Sequence, residues 1–83
     1  MTALTVAVIS PERTVFEGTA PSVVAPAYDG EVGILPGHAP MLALLGDGVL
    51  RIGDATRVHV RGGFIQVAAN VVRVVTEFAE AVK

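Results

Sequence analysis

Residues 56–76 read TRVHVRGGFIQVAANVVRVVT, and this stretch decides the fold. Over 56–61 the side chains alternate: Val58 and Val60 fall on one side, Arg57, His59 and Arg61 on the other. Successive side chains of an extended chain point to opposite faces, so this is a half-buried strand with a polar outer face. Gly62-Gly63 follows, a pair that permits a bend or a close backbone approach. Residues 64–68 and 71–76 are rich in Val, Ile and Phe and form two further strands, with Ala69-Asn70 as their turn.

The same grammar extends outward in both directions. Residues 49–52 form a strand with Leu50 and Ile52 on one face and Arg51 on the other. Gly46-Asp47-Gly48 reads as the reversal before it and Gly53-Asp54 as the turn after it. At the start of the chain, 4–9 alternates, with both sets largely apolar, and Ser10-Pro11-Glu12-Arg13 breaks it. Residues 14–18 and 22–25 read as the next strands. Pro26 has no N–H for a ladder, which places it at a strand end or sheet edge. Asp29-Gly30 turns the chain, 31–35 returns, and 42–45 is a strand or a single turn. The end, 77–83, has the composition to begin a helix but is too short to hold one alone. Strands every eight to ten residues or so, divided by Gly, Asp and Pro, define an all-β sandwich or barrel in a single domain.

Composition narrows the function classes. An 83-residue chain supports one small core, and at 52% hydrophobic residues some apolar side chains are expected at the surface, which favours a patch covered by a partner, with scattered surface Val and Ala as the alternative. The net charge of −2 offers nothing to nucleic acid. The absence of cysteine removes disulfides and thiolate chemistry. No apolar run reaches the length of a membrane span.

Residues 25–42, APAYDGEVGILPGHAPML, concentrate the unusual residues, including three of the five prolines and the single tyrosine. Pro36 and Pro40 bracket Gly37-His38-Ala39 with fixed φ values, so this is a shaped loop. Chemistry is poorly provided for. Ser10 precedes a proline turn, where hydroxyl-to-backbone bonding is the ordinary role, and neither serine lies near a histidine in sequence. His38 and His59 lack metal-ligand spacing; His59, among outward arginines, reads as a solvated strand residue. Asp29 and Glu31 read as solvated turn acids. The glycines at 30, 33 and 37 match neither phosphate-loop pattern. Arg51, Arg57, Arg61 and Arg73 either line one sheet face or, more in keeping with the charge balance, pair with acids and cover apolar surface. No catalytic residue, metal ligand set, ATP-binding residue or cofactor is expected.

The run Asp29-Gly30-Glu31-Val32-Gly33-Ile34-Leu35-Pro36-Gly37-His38-Ala39-Pro40 resembles the signature loop of the ε subunit of F-type ATP synthases. Val15-Phe16-Glu17-Gly18, Gly48-Val49-Leu50-Arg51-Ile52, Gly62-Gly63-Phe64-Ile65-Gln66-Val67 and Asn70-Val71-Val72-Arg73-Val74 resemble flanking motifs of the same domain, in the same order. The resemblance implies a flattened β-sandwich of about ten short strands, slightly more than the residue patterns give directly. It implies a non-catalytic rotor component at the foot of the central stalk, bound to the γ subunit and resting on the c-ring. There it helps couple proton or sodium translocation to ATP synthesis. It also implies a peripheral place on the cytoplasmic face of a bacterial inner membrane, or the matrix or stromal side of an organelle, with no direct membrane insertion. Typical ε subunits continue into a C-terminal helical hairpin that restrains hydrolysis and in some members binds ATP. With residues 1–83 matched to the sandwich, that helical domain is expected to be absent and its roles are not carried over; a short natural form and a truncated chain fit equally.

Within that resemblance, Tyr28, Asp29, Gly30 and Glu31 are the candidates to face the c-ring, as an exposed acid-bearing tip. His38, Ala39, Pro40, Met41 and Leu42 are the candidates to face γ, with core packing the competing role of Met41 and Leu42. Two rival classes remain. A generic β-sandwich binding module for a peptide or glycan would require an aromatic groove, against which stand one tyrosine, three phenylalanines and no tryptophan. A small hydrolase lacks a nucleophile–base pair.

Overall fold

The computed structural model describes residues 3–82. Ten strands follow one another: β1 (Leu4–Ile9), β2 (Thr14–Ala20), β3 (Val23–Ala27), β4 (Gly30–Ile34), β5 (Met41–Leu44), β6 (Asp47–Ile52), β7 (Thr56–Arg61), β8 (Phe64–Ala68), β9 (Val71–Val75) and β10 (Phe78–Val82). They form two five-stranded sheets. The first has the order β2-β1-β9-β8-β5, the second β10-β7-β6-β3-β4. The described neighbours pair antiparallel except β1 and β9, which run parallel. The all-β sandwich and its single domain are as the alternation implies.

The alternating residues explain the layering. Leu4, Val6 and Val8 of β1, Val72 and Val74 of β9, and Ile65 and Val67 of β8 turn inward from the first sheet. Leu50 and Ile52 of β6, Val58 and Val60 of β7, and Val23 of β3 meet them from the second. Each such side chain, fully buried, contributes about 1.5–3 kcal/mol of transfer free energy. The core is aliphatic. Its β-branched residues suit the pleated surface they occupy.

Five details add to or differ from the sequence reading. Residues 78–82 form a strand, not the start of a helix. Five residues cannot nucleate a stable helix, whereas pairing from Phe78↔Arg61 to Val82↔Arg57 gives them a ready ladder. Buried Thr76 fixes the entry, its hydroxyl 2.9 Å from the carbonyls of both Gly62 and Phe78; Lys83 lies outside the described residues. Asp47 and Gly48 belong to β6 rather than to a reversal. Gly48 is needed for a close approach: a Cβ there would meet Pro26 Cβ at 2.7 Å.

Pro26 sits inside a sheet, on β3 between β4 and β6, one residue from the strand end. Its carbonyl accepts from Gly46 N–H at 2.8 Å, so its own nitrogen faces the β6 side. There the β3–β6 ladder covers only Val23 and Val24, and no donor is missed. β1 is covered fully on one face alone: Thr5 is exposed while Ala7 and Ile9 are half-buried. Finally, Arg51, Arg57 and Arg61 lie on the second sheet and Arg73 on the first, so the four do not share a face.

Candidate functional site

The two halves of the 25–42 stretch occupy different places. Tyr28 and Asp29 close the β3–β4 hairpin as a two-residue loop, with Ala27 opposite Gly30. Gly30 adopts φ 135°, a region that glycine alone enters freely. Tyr28 is 80% exposed, and its N–H donates to the Leu44 carbonyl at 2.8 Å, which ties the hairpin tip to β5. Glu31 reaches across to Arg51, with oxygen and nitrogen 3.7 Å apart and both side chains solvated. A surface pair of this kind is worth about 0–1 kcal/mol.

The loop 36–40 has its own braces. His38 N–H donates to the Leu35 carbonyl at 3.1 Å, and Gly37 adopts φ 89°. His38 Nδ1 lies 2.7 Å from the Ala39 carbonyl; an oxygen acceptor there requires the proton on Nδ1. Beyond the loop, β5 alternates. Met41 and Ala43 pack against the core, while Leu42 and Leu44 point outward at 70% and 66% exposure. The competing core role therefore holds for Met41 and fails for Leu42.

Strand pairing then builds something that the linear reading missed. Leu44 of β5, Phe64 of β8, Val75 of β9 and Ile9 of β1 stand in one cross-strand row on the outer face of the first sheet. The next row runs Leu42, Gln66, Arg73 and Ala7. Leu42, Ala43, Leu44 and Phe64 line a shallow, apolar concavity of about 320 Å³. Leu44 and Phe64 are 20 residues apart in sequence, and only their pairing makes them neighbours. The period-two pattern marks each as outward when its strand is read alone.

The outer face of the second sheet is charged. Asp47, Arg61 and Phe78 form a row across β6, β7 and β10. His59 is no solvated bystander: its Nε2 is 2.6 Å from Asp47 Oδ1, and its ring meets Phe78 edge-on at 5.7 Å. Arg61 Nε donates to Asp47 Oδ2 at 3.3 Å, and its guanidinium lies 4.9 Å from the Phe78 ring centroid. The preference for pairing arginines with acids thus holds for Arg51 and Arg61. Ser10 fulfils its turn role, with its hydroxyl donating to the Arg13 carbonyl at 3.1 Å.

The His59 hydrogen bond, then that of Arg61, holds the Asp47 carboxyl below its ordinary range. A depressed carboxylate adds stability that is present above its unfolded value, about 4, and lost as pH falls through the folded value. Below about pH 4, the exchange protection of β10 amides, relative to their intrinsic rates, is expected to fall, and Asp47→Asn is expected to flatten that acid limb. Identical acid profiles for both proteins would show that Asp47 does not fasten β10.

Among the described residues no three His, Asp or Glu side chains gather as a metal site, and no helix long and apolar enough to cross a membrane is present. The fold and these surfaces define a class: a small two-sheet β-sandwich with an apolar patch at the β5–β8 end of one outer face and a charged cluster on the other. A family model described as "ATP synthase, Delta/Epsilon chain, beta-sandwich domain" matches residues 3–82, and the chain belongs to that family.

Curated relatives named ATP synthase epsilon chain agree with the assignment. That of Synechococcus elongatus is 46% identical over 80 residues, 93% of this chain and 58% of its own. That of Leptospira borgpetersenii is 46% identical over 77 residues, 89% of this chain and 61% of its own. The chain therefore spans about three-fifths of the length of these relatives. Among solved structures, a chain of the Euglena gracilis mitochondrial ATP synthase, described as OSCP/F1/c-ring, superposes with a TM-score of 0.88 at 20% identity. It is covered over 54% of its length by 98% of this chain. A chain of the Tetrahymena thermophila mitochondrial enzyme, described as central stalk/c-ring, gives 0.78 at 16% identity, with 95% of this chain and 66% of that one covered. At these identities the likeness is one of fold.

Proposed function

We propose that this chain is a non-catalytic rotor component of an F-type ATP synthase, seated on the γ subunit and turned toward the c-ring. The carrying observation is the apolar outer face of the first sheet, where Leu42, Leu44 and Phe64 stand exposed beside the braced 36–40 loop. Apolar side chains presented on a rigid sheet suit a protein partner better than water. In this reading γ covers His38, Ala39, Pro40 and Leu42 together with Leu44 and Phe64, while Met41 supports them from the core side. The tip Tyr28–Asp29–Gly30–Glu31 points to the c-ring, its acids matched to basic loop residues. Torque passes through a doubly layered, close-packed sandwich, which resists shear better than loops would. The domain would then sit peripherally on the cytoplasmic, matrix or stromal side of the coupling membrane and help link ion translocation to ATP synthesis.

Co-purification with tagged γ tests the first contact, and ring attachment tests the second. Asp29→Lys with Glu31→Lys is expected to weaken association with c-ring-containing membranes severalfold, most strongly at low salt, with γ affinity unchanged. Equal loss of both contacts would show that the turn is structural only.

A further inference from the structure

Gly37 and Asn70 are separated by 33 positions, yet the Gly37 N–H donates to Asn70 Oδ1 at 2.7 Å. Asn70 is the second residue of the two-residue turn between β8 and β9, at φ 63°, after Ala69 at φ 51°. Consecutive left-handed residues suit the twist of a tight hairpin, and glycine, asparagine or aspartate meets that need at the second place. Only asparagine or aspartate also offers an oxygen. The Asn70 main chain is engaged as well, its carbonyl accepting from Thr5 N–H at 2.8 Å. The other hydrogen bonds described within 36–40, from His38 N–H to Leu35 and from His38 Nδ1 to Ala39, are local to the loop. The Asn70 bond anchors the loop to the body of the sandwich.

We infer that Asn70 is a positioning residue that presets the 36–40 loop level with the apolar face of the first sheet, so that loop and sheet meet one partner together. The anchor lies at the end of β8–β9, and beside it Pro40, Leu42, Gln66 and Ala68 border a common shallow groove. A loop held in its bound shape loses less conformational freedom on docking, and the affinity gain equals the increase in the competent fraction. The partner in this inference rests on the γ reading above; the ordering of the loop does not.

The test uses the full chain and its Asn70→Gly and Asn70→Asp variants. Glycine keeps the left-handed backbone and removes the oxygen; aspartate keeps both. In Asn70→Gly, NMR-detected exchange of the Gly37 amide is expected to rise about three- to tenfold, the range for loss of one hydrogen bond, with the thermal midpoint held or raised. Affinity for purified γ is expected to fall by a similar factor. Asn70→Asp is expected to restore both values. Unchanged Gly37 exchange in Asn70→Gly overturns the inference. Faster exchange with unaltered γ affinity overturns the link between loop order and docking. If the unaltered chain fails to bind γ, the functional reading falls, and the exchange comparison still decides whether Asn70 orders the loop.

Discussion

Replacing Leu42 and Leu44 together by aspartate is expected to lower affinity for γ by at least about a hundredfold while leaving the fold intact. Both side chains are largely solvent-exposed in the isolated chain, so their removal opens no cavity. The cost to the sandwich is limited to β-propensity on an edge strand, up to about 1 kcal/mol at each position. In a complex each leucine would be withdrawn from water, a gain of about 1.5–3 kcal/mol apiece, and the introduced carboxylates would be desolvated without partners. Titration calorimetry against γ, paired with thermal unfolding of the free chain, separates these effects. A γ affinity within threefold of the unaltered chain would remove the first sheet's outer face from the interface. A collapse of the thermal midpoint would mean that β5 depends on these leucines for folding, contrary to their exposure.

The largest effect on stability is expected at Gly63. The residue adopts φ 97°, and a Cβ placed there would lie 2.0 Å from the Val75 carbonyl oxygen and 2.7 Å from Thr76 Cα. Both obstacles are main-chain atoms of a paired strand and its exit, so no rotamer change relieves them. Strain from the left-handed backbone and steric repulsion each cost about 1–3 kcal/mol, and together they consume much of the total stability of a domain this small. Gly63→Ala is therefore expected to unfold at a markedly lower denaturant concentration, or to fail to accumulate. Gly37 provides the comparison. It has φ 89°, and a Cβ there would meet nothing within 4 Å, so Gly37→Ala carries the backbone strain alone. Chemical denaturation of the two variants ranks the steric contribution. Equal midpoints would show that the β9 backbone yields at Gly63.

That comparison also marks how far residue patterns reach. Gly62-Gly63 was legible as a bend or a close approach, and it is both. Gly48 looked like a turn glycine, because Asp flanked by glycines is a turn signal; it is instead a strand residue that makes room for Pro26. The local signal is the same in each case. What separates them is which strand lies opposite, and that is set by pairing across the chain. The C-terminal segment makes the same point. Alanine and glutamate favour a helix locally, but the open edge of β7 offered Phe78–Val82 a ladder, and tertiary pairing outweighed propensity.

Most of the sandwich was determined by the sequence by itself. Period-two burial of Val58, Val60, Leu50, Ile52, Ile65 and Val67 leaves one stable arrangement of faces, because a one-residue slip would turn every aliphatic side chain to water. The run 29–40 and its flanking motifs carried the family, which the match over residues 3–82 bears out. Tertiary structure alone decided the composition of the two outer faces. Leu44 meets Phe64 because β5 pairs with β8, His59 meets Asp47 because β6 pairs with β7, and Asn70 reaches Gly37 because a turn and a loop distant in sequence end at the same place. Alternation tells a residue which way to point; only strand order, fixed by how the sheets close around the core, chooses its neighbours.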